Sequence, residues 1–198
     1  MSSPTPTPEL RRRTLLTAAA WSAPVIAVAV AAPLAAASQE LEKGLQGWVA
    51  MTTTQTTQWS QGFAPRPVTT NHLTIDGSGT PPERGLWVTG TSARTKLANA
   101  SITFYSDANV TWTPMRGNSG AWSTPTRTGT TRIDGVTCSV YVTTYQRPIT
   151  ATATHTNLDN QLVFRAVENT GRARVWARRS ITVDGQEVAF MRGPITVG

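Results

Sequence analysis

The chain has 198 residues, with 18 Lys and Arg against 11 Asp and Glu, a net charge of +7, 13 Pro, 15 Gly and one Cys. That length suits one domain with an appendage. A single Cys excludes both an intramolecular disulfide framework and a Cys-built zinc or iron–sulfur site. Arg supplies 16 of the 18 basic residues, and Thr fills 34 positions.

The first eight residues hold a polar Pro/Thr run, followed by Arg11-Arg12-Arg13 and then an uncharged, Ala- and Val-rich stretch from Thr14 to Ser38. A basic segment, an apolar segment and small residues at Ala35 and Ala37 before Ser38 are the three parts of a secretory signal peptide. Arg12-Arg13-x-Leu15-Leu16 resembles the twin-arginine motif of Tat-exported proteins. The run Ala20-Trp21-Ser22-Ala23-Pro24-Val25-Ile26 resembles signal peptides on secreted and surface proteins of high-GC Gram-positive bacteria. The resemblance covers residues 9–38. It implies export by the Tat route and a location outside the cell or on its envelope, and it implies no activity. Retention of the segment as a membrane anchor is the other reading of its uncharged length. Cleavage after Ala37 divides the chain into a signal peptide, 1–37, and a single domain, 38–198, with 15 basic and 10 acidic residues.

In that domain β-formers far outnumber helix-formers, which sets an all-β class. Only Gln39–Lys43 reads as a helical turn. Residues 60–85 and 113–130, rich in Pro and Gly, read as long loops. Period-two alternation puts Leu86 and Val88 opposite Trp87 and Thr89, and Ile102 and Phe104 opposite Thr103 and Tyr105. It also predicts an inward face of Val136, Cys138, Val140 and Val142, and a strand over Leu162–Val167. Asp134-Gly135 and Asp184-Gly185 read as type I′ hairpin turns, because that turn needs positive φ twice. The second turn sets Ile181 facing Val188. Asp159-Asn160 reads as a third hairpin turn, joining 151–156 to 162–167. Strands at this spacing predict one immunoglobulin-like β-sandwich, with a small β-barrel as the alternative.

The chemistry is sparse. All five Asp sit in turn contexts, where Asp is chosen for local backbone hydrogen bonding. No sequence-local carboxylate pair, nucleophile elbow or phosphate loop is present. His72 and His155 stand far apart, so the sequence offers no metal or cofactor ligand set. The most suggestive stretch is Arg172-Ala-Arg174-Val-Trp176-Ala-Arg178-Arg179. As a strand it aligns Arg172, Arg174, Trp176 and Arg178 on one face, with a bulge predicted near 178–179. Guanidinium groups fork onto anions and an indole stacks on sugar. The same row also reads as a solvated face that blunts a sheet edge. Trp112 and Trp122 flank the loop Thr113–Ala121 and read either as a carbohydrate platform or as a cap on the sandwich.

These features point to an exported, non-catalytic surface or secreted protein that binds an anionic envelope polymer or a surface protein. Nucleic acid is not expected as a partner, and the membrane is met only through the signal segment during export. The alternative is a secreted polysaccharide hydrolase with a carboxylate pair assembled in space.

Overall fold

The structure, a computed structural model, describes residues 44–79 and 84–198. The signal motif Arg12, Arg13, Leu15 and Leu16, the cleavage residues Ala35, Ala37 and Ser38, and the helical turn Gln39–Lys43 lie outside the described residues. The described residues form twelve strands and belong to one compact unit, Gln39–Gly198. The strands are β1 (Leu45–Trp48), β2 (Ala50–Trp59), β3 (Pro67–Asp76), β4 (Gly85–Thr91), β5 (Leu97–Ser106), β6 (Trp112–Pro114), β7 (Thr126–Ile133), β8 (Val136–Thr144), β9 (Thr154–Asn157), β10 (Val163–Ala166), β11 (Ala173–Val183) and β12 (Gln186–Val197).

They make three antiparallel sheets, ordered β1-β4-β9, β2-β3-β10-β6 and β12-β11-β5-β8-β7, with no closed barrel. The fold is an all-β sandwich. One continuous core draws on all three sheets, with Leu86 and Val88, Leu73 and Ile75, and Ile102 and Phe104 among its members. Alternation produces this directly, since successive strand residues point to opposite faces. Trp87, Thr89, Thr103 and Tyr105 accordingly fall on the less buried face. Asp134-Gly135 joins β7 to β8 and Asp184-Gly185 joins β11 to β12, with φ of 50° and 78° in the first turn and 50° and 86° in the second. Ile181 pairs with Val188, as the second turn dictates.

Four sequence expectations are overturned. First, β8 is inverted: Tyr141 and Thr143 are buried on the core face, while Val140 and Val142 are half-buried on the other. The reason is Tyr141, which packs edge-on against Trp112 at 5.9 Å and accepts a 2.8 Å hydrogen bond from the Val110 amide. A large ring with a satisfied hydroxyl fills the core better than Val does. Cys138 is buried but shares the face of Val140, outside the main core. Desolvation, followed by Asp107, raises its thiol pKa.

Second, Asp159-Asn160 closes no hairpin. β9 pairs with β4, whereas β10 pairs with β3 and β6. Asp159 makes a local turn instead, its carboxylate accepting from the Gln161 amide at 2.9 Å.

Third, both predicted loops carry strand: β6 and β7 take the two ends of 113–130, and within 60–85 lies the strand 67–76. It pairs with β2 over ten residues, from Ala50↔Asp76 to Trp59↔Pro67. The outer half of this arm is mostly exposed on both faces, so it carries no alternation. Thr–Thr contacts such as Thr57 to Thr69, at 3.1 Å, join its strands. Pro67 is tolerated because it opens its strand.

Fourth, β11 is no edge, since β12 and β5 flank it. Its register slips at Trp176 against β12 and at Ile181 against β5 rather than at 178–179. Arg179 therefore stays in step with Val175 and Ala177 and points into the molecule.

Candidate functional site

Arg174, Trp176 and Arg178 of the predicted Arg/Trp row share one face of β11, but the strand commits them elsewhere. Arg174 Nε donates to Asp107 Oδ2 at 2.9 Å, and the Arg174 amide donates to Asp107 Oδ1 at 2.8 Å. Arg178 Nη2 donates to Glu187 Oε1 at 2.8 Å. Trp176 is only 2% exposed, opposite Tyr105 across the ladder, so its indole offers no open stacking surface. Arg172 lies exposed just before the strand. A row of free cations around an exposed indole is thus absent. The sequence could not show the acidic partners, because Asp107 comes from the end of β5, far along the chain.

The structure instead forms a cleft of about 380 Å³ beside β6, β7 and β8. Val110, Trp112, Pro125 and Tyr141 make its apolar part, and Asn109, Thr111, Thr126, Arg127 and Glu168 are its exposed polar lining. Trp112 is held by Tyr141 and by Phe104, whose ring centroid lies 6.5 Å away. Its Nε1–H is buried and has no acceptor among the described residues. Such a donor normally finds a partner, because leaving it unmade costs about 1–3 kcal/mol. Tyr141 donates onward to Asn109 Oδ1 at 3.3 Å, which fixes one wall of the cleft.

Glu168 closes the other side. Its Oε2 accepts the Thr111 amide at 2.6 Å. Desolvation pushes its carboxyl up, but hydrogen bonds from the Thr111 amide and hydroxyl and from its own amide outweigh this, and the net pKa shift is downward. A carboxylate favoured in the fold stabilises it above its unfolded pKa, and that contribution disappears as pH falls through the folded value. Between pH ~5 and ~3, wild type should therefore lose more stability than Glu168→Gln. Urea midpoints across that range read the difference, and parallel losses would remove the Thr111 contact as its cause.

The remaining carboxylates are largely tied to local structure. Asp76 accepts from Ser78 and pairs with Arg84, and Asp159 pairs with Arg147. His72 bridges β3 to the Ala166 and Glu168 carbonyls. Among the described residues, no three His, Cys, Asp or Glu side chains come together as a metal site. Trp122 takes the capping role: it is buried, stacks edge-on against Tyr145 at 5.1 Å and donates to the Asp159 carbonyl at 2.6 Å. Trp112 serves both packing and cleft. The sequence flagged this tryptophan, but Arg127 and Glu168 carry no local pattern that marks them.

No protein-family model, curated protein or solved structure matches the chain.

Proposed function

We propose that this chain is an exported, non-catalytic β-sandwich of immunoglobulin-like layering that binds a sugar unit of an envelope polysaccharide in the Trp112 cleft. The observation that carries the reading is the lining of the cleft, which sets the Trp112 and Tyr141 rings beside amide, hydroxyl and charged groups; the buried Trp112 Nε1–H has no acceptor among the described residues. Sugars present that mixture, with apolar ring faces and a girdle of hydroxyls. A hydrolase needs two carboxylates about a glycosidic bond, roughly 5–10 Å apart. Among the described residues Glu168 is the one acidic residue that lines the cleft, and it is bound to Thr111, which favours binding over hydrolysis. Export rests on the twin-arginine-type N-terminus.

The test is calorimetric titration with a panel of neutral and acidic oligosaccharides, alongside fractionation of the host. At least one oligosaccharide should bind. Arg127→Ala and Glu168→Ala should each weaken that binding about tenfold or more, because each removes a charged hydrogen-bonding group. Host material should begin at Ser38 and stay with the envelope. Variants that bind as wild type does would end the cleft assignment.

A second reading, a protein partner, is favoured by the tip of the β2–β3 arm. There Trp59 is 69% exposed, Phe63 is fully exposed and Val68 is exposed beside them.

A further inference from the structure

Arg179 is the largest electrostatic anomaly in the described residues. Its side chain is 0% exposed, and no carboxylate among the described residues pairs with it. Among the described residues Nε and Nη2 are buried without a hydrogen-bond partner, and Nη1 makes one long contact, 3.5 Å to the Ala177 carbonyl. Nε and Nη2 form one edge of the guanidinium, the fork that takes two oxygens of a single oxyanion. A buried charge left this way is costly unless something pairs with it.

A second cation stands beside it. Arg192, half-buried on β12, lies on the same strand face as Phe190, which pairs directly with Arg179. The Arg179 guanidinium lies 5.7 Å from the Trp48 ring and 5.3 Å from the Phe190 ring. The Arg192 guanidinium lies 5.5 Å from each. Four side chains from β1, β11 and β12 thus set two like charges on the same two rings, with no acidic residue of the described chain between them. Aromatic faces soften the charge of each cation, but they do nothing for the two empty donors.

We infer that Arg179 and Arg192 form a binding site for a phosphate group, framed by Trp48 and Phe190. A carboxylate would fill the Arg179 fork and leave the Arg192 charge uncompensated. A phosphate brings up to two charges and enough oxygens for both guanidinium groups. Burial, with Arg192 adding to it, lowers the Arg179 pKa to about 9, in keeping with a cation that lacks its counter-ion. The site lies on β11 and β12, at the far edge of the five-stranded sheet from β7, so it stands independently of the sugar cleft.

Thermal unfolding of the full chain and tryptophan fluorescence, titrated with inorganic phosphate at constant ionic strength, test this. Phosphate should raise Tm in a saturable way and perturb Trp48 emission, whereas chloride and acetate should do neither. Arg192→Gln should weaken phosphate binding tenfold or more. Arg192→Lys, which keeps the charge and loses the fork, should also weaken it. If Arg192→Gln does not fold, Arg192→Lys carries the comparison. A glycerol-phosphate oligomer competing with inorganic phosphate identifies a wall polymer as the source, and failure to compete identifies free phosphate; the site stands in either case. Absence of a phosphate-specific shift, an equal response to acetate, or identical shifts in wild type and both variants overturns it.

Discussion

Replacing Gly47 by alanine should cost roughly 2–5 kcal/mol, combining the strain of a side chain at positive φ with forced overlap. Gly47 has φ +143°, and a Cβ there would overlap the Gly85 carbonyl oxygen, with Leu86 Cα at 3.0 Å. Both obstacles are backbone, and both belong to the strand that Gly47 pairs with, so neither can rotate aside. The β1–β4 ladder must open or shift. Gly135→Ala is the control. Its φ of +78° carries the conformational cost alone, about 1–2 kcal/mol, because nothing lies within 4 Å of the added methyl. Urea denaturation of the two variants separates these terms, and equal losses would mean that the close approach of β1 to β4 contributes nothing.

Arg179→Met should move stability the other way, raising it by about 1–4 kcal/mol in phosphate-free buffer. A buried, unpaired ion costs several kcal/mol even after relaxation. Stacking on Trp48 and Phe190 returns about 2 kcal/mol. Methionine is unbranched and adaptable, and it fills such a space without leaving polar atoms orphaned. Added phosphate should narrow the gap, since only the protein that binds it gains by mass action. Chemical denaturation of wild type and variant, with and without phosphate, reads both effects. A variant less stable than wild type in phosphate-free buffer would show that the aromatic stacking outweighs the buried charge.

The parts of the fold legible in the sequence were those where one face meets the core and the other meets water. Ile102 and Phe104 alternate with Thr103 and Tyr105 because β5 is two-sided, and the two Asp-Gly turns announce themselves through their backbone demands. The β2–β3 arm was hidden for the opposite reason. With its outer half exposed on both faces it has no inward set to repeat, and Pro65 and Pro67 disguised it further as loop. β8 was misread because Val outranks Tyr on hydrophobicity alone, while the core chose the residue whose hydroxyl could reach the Val110 amide. The Arg/Trp row illustrates a third limit. Alternation gave the correct shared face, but not that Asp107 and Glu187 would claim Arg174 and Arg178. Arg179 appeared as a break in the pattern when it was in step with the inward residues. No charge count predicts that a sandwich will draw one of its arginines inside.

The seclusion of Cys138 governs its redox chemistry. Its sulfur is buried, and its surroundings disfavour the thiolate, the form that attacks disulfides and meets oxidants. Sulfenic acid formation, mixed disulfides and pairing between two copies all require that form at the surface. The folded domain can therefore sit in an oxidising medium with a free cysteine and remain chemically silent. Its covalent identity is guarded by packing rather than by a bridge.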